Sequence, residues 1–116
     1  MLWADFEAYV FGLLKKQYSN YRILVQSRLD SGLRPDFVLE HDSKIIVVDA
    51  KARAIIEKRD VDQITDYIIE LDADFGIIFV ADYSEVPESV EDNAILKGIE
   101  IEYTDWKNHQ RYEICI

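Results

Sequence analysis

A chain of 116 residues with a formal net charge of −10 has the size of one domain with a modest core. Its content, 49% hydrophobic and 31% charged, is that of a folded protein, and its longest apolar runs are strand-sized, which excludes a helical membrane span. The acidity weighs against non-specific nucleic-acid binding, which relies on Lys and Arg neutralising phosphates; such a partner would need a local basic patch or metal ions.

The reading is of a single domain over residues 1–116. One cysteine, Cys115, forms no internal disulfide, and Met1-Leu2-Trp3-Ala4-Asp5 lacks the basic region of a secretion signal. Both point to a reducing, cytoplasmic setting.

Residues 3–18 read as a helix, with Trp3, Phe6, Val10, Leu13, Leu14 and Tyr18 at the spacing of one face. Glu7 falls inside that stripe. Such a glutamate either snorkels from its edge, the commoner case, or is held for a purpose. Residues 21–26 read as a strand, and Leu29-Asp30-Ser31-Gly32 as a turn. A second strand, about 34–41, carries Pro35 near its start or on an edge. Asp42-Ser43 is a tight turn into a third strand over 44–52.

A second helix over about 60–72, with Asp60 or Asp62 near its start, turns Val61, Ile64, Ile68 and Leu71 to the core. A strand over 75–81, a helix over 87–97 ended by Gly98, and strands over 99–103 and 111–116 complete the chain, the last two joined by the polar segment 104–110. The order α-β-β-β-α-β-α-β-β predicts an α/β domain whose mixed β-sheet is flanked by helices. An antiparallel meander comes first, then strands reached by helical crossovers.

Register decides the chemistry. A two-residue turn at Asp42-Ser43 sets His41 opposite Lys44 and therefore Asp36 opposite Asp49. Asp49 and Lys51, two apart on an apolar strand, share one face. Two carboxylates and a lysine then converge where an ionised group is costly unless paired or bound to metal. Asp36 and Asp49 suit magnesium, which binds through one or two carboxylates, and the backbone carbonyl of Ala50 can add a ligand. Lys51 would orient or stabilise an attacking water. The bland alternative is an Asp–Lys pair that neutralises itself.

Lys51, Arg53, Lys58 and Arg59 form a basic cluster within nine positions, which most often is a solvated segment. His41 at a turn and His109 in a polar loop have no ligand spacing around them and read as surface residues. Cys115 reads as a core residue rather than a nucleophile. Trp3, Tyr9 and Trp106 read as packing aromatics rather than base-stacking ones.

The string Leu33-Arg34-Pro35-Asp36-Phe37-Val38-Leu39-Glu40, followed by Ile45-Ile46-Val47-Val48-Asp49-Ala50-Lys51, resembles the PD-(D/E)xK nuclease superfamily. Phe6-Glu7 is similar to the acidic position of that family's opening helix. Gln63-Ile64-Thr65-Asp66-Tyr67 is similar to the Q-x-x-x-Y of its resolvase-like and RecB-like branches. The resemblance implies a restriction-endonuclease-like core, with Asp36 and Asp49 as metal ligands and Lys51 as the catalytic lysine. It further implies Glu7 as an auxiliary acid on the metal, direct or through water, and Gln63 as a positioner. Asp49 stands where many relatives carry Glu. Tyr67, with Arg53, Lys58 and Arg59, is expected to contact substrate.

The implied activity is a magnesium-dependent endonuclease, manganese substituting, of the Holliday-junction-resolvase-like or Mrr-type branch. It would cut DNA, branched forms included, as a homodimer. Two alternatives stay open: a catalytically silent nuclease-fold subunit that binds proteins, and a nuclease subunit that needs a separate DNA-binding partner.

Overall fold

A computed structural model describes residues 3–109. Helix α1 (Trp3–Gln17) leads into strands β1 (Arg22–Val25), β2 (Phe37–His41) and β3 (Lys44–Lys51). Helix α2 (Lys58–Leu71), strand β4 (Phe75–Val80), helix α3 (Glu88–Leu96) and strand β5 (Ile99–Tyr103) follow. The strands form one five-stranded sheet in the order β1-β2-β3-β4-β5. The first three run antiparallel, whereas β3–β4 and β4–β5 are parallel pairs. This is the expected meander followed by helical crossovers, and it has a simple cause: short turns join antiparallel neighbours, while a parallel neighbour needs a crossover long enough to hold a helix.

Strand alternation divides the core into two layers. Ile46, Val48 and Ala50 pack with Phe37, Leu39 and Phe79 against Phe6, Val10 and Leu14, which recur every four residues along α1. Val47, Ile78 and Val80 pack on the other face with Val61, Ile64 and Tyr67 of α2 and with Val90 and Ala94 of α3. Both faces of β3 and β4 are therefore covered, which is why these strands read as continuous apolar runs.

The β2–β3 turn is as tight as expected. Asp42 and Ser43 have φ of 47° and 70°, both positive as a two-residue primed turn requires. His41 pairs with Lys44 and Phe37 with Val48, so the ladder continues to Asp36 beside Asp49. Gly76 has a separate role. A Cβ there would meet Ile64 Cγ2 at 2.7 Å and Ile68 Cδ1 at 3.1 Å, so α2 lies on β4 at a distance only glycine permits.

Three boundaries differ from the sequence reading. Strand β2 begins at Phe37 rather than near 34, because Pro35 has no N–H to extend the ladder. Helix α2 begins two residues earlier than residue 60, and buried Asp60 sits in its first turn, where its Oδ2 accepts the Glu57 N–H at 2.8 Å. Residues 106–109 form a helical turn instead of a polar loop, because Trp106 is buried edge-on against Phe6 at 5.4 Å. The expected strand 111–116, Cys115 and the side chain of Trp3 lie outside the described residues. Among the described residues no helix is long and apolar enough to cross a membrane.

Candidate active site

Asp36, Asp49 and Lys51 gather at the carboxyl end of β3, on the face covered by α2. Asp36 and Asp49 are 8% and 2% exposed, and each steadies the other's strand. The Asp36 N–H donates to Asp49 Oδ1 at 3.1 Å, and the Ala50 N–H donates to Asp36 Oδ2 at 2.8 Å. Within a strand the N–H and C=O of one residue point the same way, so the Ala50 carbonyl also faces β2. Continuing the register, the residue across from it is Pro35, which has no N–H to offer. The Pro-Asp pair thus supplies one carboxylate and leaves a neighbouring carbonyl without its ladder donor.

Lys51 Nζ lies 3.4 Å from Asp49 Oδ2 and donates to Gln63 Oε1 at 2.9 Å. Helix α2 therefore reaches the lysine through Gln63, on its second turn. Tyr67, one turn further along the same helix face, is buried, and its hydroxyl donates to the Arg34 carbonyl at 3.4 Å. The residue four positions beyond Gln63, expected to contact substrate, thus packs in the core and props the segment that carries Pro35-Asp36. Burial, followed by the charges of Asp49 and Asp36, raises its phenol above the ordinary tyrosine range.

The same burial acts on the acids. Loss of solvent and then the Asp49 charge push Asp36 up to about 7, with Glu7 adding to the rise and the Ala50 N–H and Lys51 opposing it. Asp49 is raised as well, desolvation outweighing its contact with Lys51. Two buried carboxylates face a single lysine, which contacts only Asp49 of the pair.

Glu7 comes from the opposite layer, so it meets this group only around the end of β2. It is 7% exposed, not snorkelling from the edge of α1, and its Oε1 accepts Gln26 Nε2 at 2.8 Å. Gln26 was not marked by any sequence motif, and its left-handed backbone cannot be read from a glutamine.

The basic cluster is largely spoken for. Arg53 pairs with Asp60, Lys58 with Asp62 at 3.1 Å, and Arg59 with Glu57 at 3.2 Å. A cleft of about 390 Å³ beside Lys51 is lined by Arg53, Arg59, Asp60 and Gln63. Arg53 and Arg59 thus line it as members of ion pairs, and Lys58 is turned to Asp62. The histidines lie elsewhere: His41 pairs with Asp42 at the turn, and half-buried His109 packs against Tyr9 at 4.5 Å rather than standing on a polar surface loop.

Among the described residues no three His, Cys, Asp or Glu groups meet closely enough to hold a metal by themselves. The candidate donors are thus Asp36, Asp49 and the Ala50 carbonyl, all hard oxygens. That set fits magnesium or manganese, whose remaining positions are filled by water or phosphate oxygen. A cation would also compensate the burial that raises both acids and the Asp49 charge that adds to the rise at Asp36.

No family model and no curated protein matches the chain. Solved structures do. Can2 from Sulfobacillus thermosulfidooxidans, solved with cyclic tetra-adenylate, superposes with a TM-score of 0.61 at 18% identity over 84% of this chain and 32% of its own. EndoMS in its apo form gives 0.58 at 16% identity over 84% and 45%. SfsA from Pyrococcus furiosus, solved with Ca²⁺, gives 0.55 at 15% identity over 84% and 53%. The chain spans between 32% and 53% of the length of these three proteins. Identities this low speak for the fold alone. The fold these structures share with the chain is an α/β domain with a five-stranded mixed sheet between helices.

Proposed function

We propose that this chain is a divalent-metal-dependent nuclease of the PD-(D/E)xK type that hydrolyses phosphodiester bonds in DNA. The observation that carries the reading is Lys51, held between Asp49 at 3.4 Å and Gln63 at 2.9 Å at the rim of a buried carboxylate pair. A self-neutralising ion pair explains one lysine and one acid; it does not account for a second buried carboxylate, Asp36, beside them. Asp36, Asp49 and the Ala50 carbonyl would hold magnesium, with manganese as substitute, and Glu7 would act on it through water. The metal supplies electrostatic stabilisation of the negative charge that develops at phosphorus.

The protein's own part is positional. Lys51 would orient the water that attacks phosphorus, and its ammonium would steady the developing charge. Gln63 keeps the lysine in place. Tyr67 holds the Arg34-Pro35-Asp36 segment against α2, so the two aspartates stay in register. Cutting both strands of a duplex requires two such sites, and a homodimer is the simplest supply.

The test incubates purified chain and magnesium or manganese with linear, nicked, branched and single-stranded DNA. Lys51→Ala and Asp49→Asn should each lower cleavage on the order of a hundredfold or more. Cleavage that survives both substitutions would end the assignment.

One observation favours a narrower version, in which a separate DNA-binding protein delivers the substrate. Arg53, Lys58 and Arg59 are each tied to an acid, and the chain carries −10 overall. Cleavage that appears only on fusion to a DNA-binding domain would select it.

A further inference from the structure

We infer that Gln26 is a positioning residue of the metal site, setting the Glu7 carboxylate relative to Asp36; this rests on the metal-dependent reading above. Gln26 follows β1 directly and extends its ladder, its backbone N–H donating to the Asp36 carbonyl at 2.9 Å. Its side chain donates to Glu7 Oε1 at 2.8 Å. One residue thus ties together two acids that come from opposite layers of the fold.

Its backbone is costly for a glutamine. Gln26 has φ of 49°, a left-handed conformation that glycine and asparagine adopt far more readily. Strained residues of this kind collect at functional sites, where the surroundings hold them. Here the left-handed backbone takes the side chain out of the strand alternation that would leave it on the Asp36 face, and so lets the amide reach Glu7 on the α1 side.

Through Gln26, Glu7 is joined to the backbone of Asp36 by two successive hydrogen bonds, so its orientation bears on how a hydrated cation sits against Asp36. By engaging Oε1, Gln26 fixes the plane of that carboxylate. Its action on the cation is indirect, through Glu7.

Glycine separates this role from a structural one, because it suits the left-handed backbone while removing the side chain that carries the amide. Manganese affinity of the full chain is measured by calorimetry for the parent, Gln26→Gly, Glu7→Gln and the double variant, with thermal melts alongside. Gln26→Gly should melt no lower than the parent yet bind manganese about ten- to a hundredfold more weakly, the usual effect of losing a ligand's hydrogen-bond partner. In the Glu7→Gln background the same change should matter by about twofold or less, as expected of residues acting through one another. Unchanged affinity in Gln26→Gly, or an equal loss in both backgrounds, overturns the inference and leaves the metal site standing. A parent that binds no manganese removes the metal-dependent reading and this inference with it.

Discussion

At Asp36 two demands oppose each other. The fold needs its Oδ2 to accept the Ala50 N–H, yet ionising it places charge beside buried Asp49. A carboxylate titrates near 4 when the chain is unfolded, by the usual peptide value, and at about 7 here. The folded state therefore holds the proton more tightly, and ionisation takes stability away as pH rises from about 4 to 7, the loss being complete above 7. Asp36→Asn keeps an acceptor for Ala50 and removes the charge. Its melting temperature should match the parent's near pH 4 and exceed it increasingly toward pH 7.5. Manganese at pH 7.5 should raise the parent and leave the variant nearly unmoved. A constant difference across that pH range would show that Asp36 is not the group responsible.

The helix–sheet contact sets how well the site is held. Gln63 reaches Lys51 only because α2 lies close on β4, and that closeness rests on Gly76 facing Ile64. Gly76→Ala should destabilise the fold by about 1–3 kcal/mol, in the range of an overpacked core. It should also weaken cleavage more than a surface change of equal stability, since the added methyl pushes Gln63 outward. Ile64→Leu removes the γ2 methyl that the new Cβ meets, so the double variant should recover stability in thermal melts; no recovery would place the strain elsewhere. The β2–β3 turn acts at the same scale. Its two positive-φ residues hold a register in which one slip would send Asp36 to the opposite layer.

Over the whole molecule, charge is the dominant fact. The chain carries 13 basic against 23 acidic residues, and several of the cations beside the site are already paired. Asp62 alone engages both Lys58 and Lys97, which hold its carboxyl below the usual range. Asp62→Asn releases those two lysines. DNA affinity of the chain at low salt should rise, and the slope of log affinity against log salt should steepen by about one to two. An unchanged slope would mean that this face does not meet the backbone of DNA.

Much of this was legible in residue order because it depends on local rules. The run Lys44–Lys51 read as a buried strand, and Asp42-Ser43 as a tight turn. Together these two set Asp36 against Asp49 before any packing was known. The spacing of Gln63 and Tyr67 likewise placed both on one helix face. What depended on distant contacts was not legible. The opposite roles of Gln63 and Tyr67, the pairing of the basic cluster, the burial of Glu7 and its bond to Gln26 each join segments that sequence keeps apart. Periodicity and turn chemistry act between neighbours along the chain, so the sequence by itself determined the strands, their register and the carboxylate pair. Burial and charge act through space, so only the tertiary structure decided which groups are desolvated, which cations are already taken and how Glu7 is held.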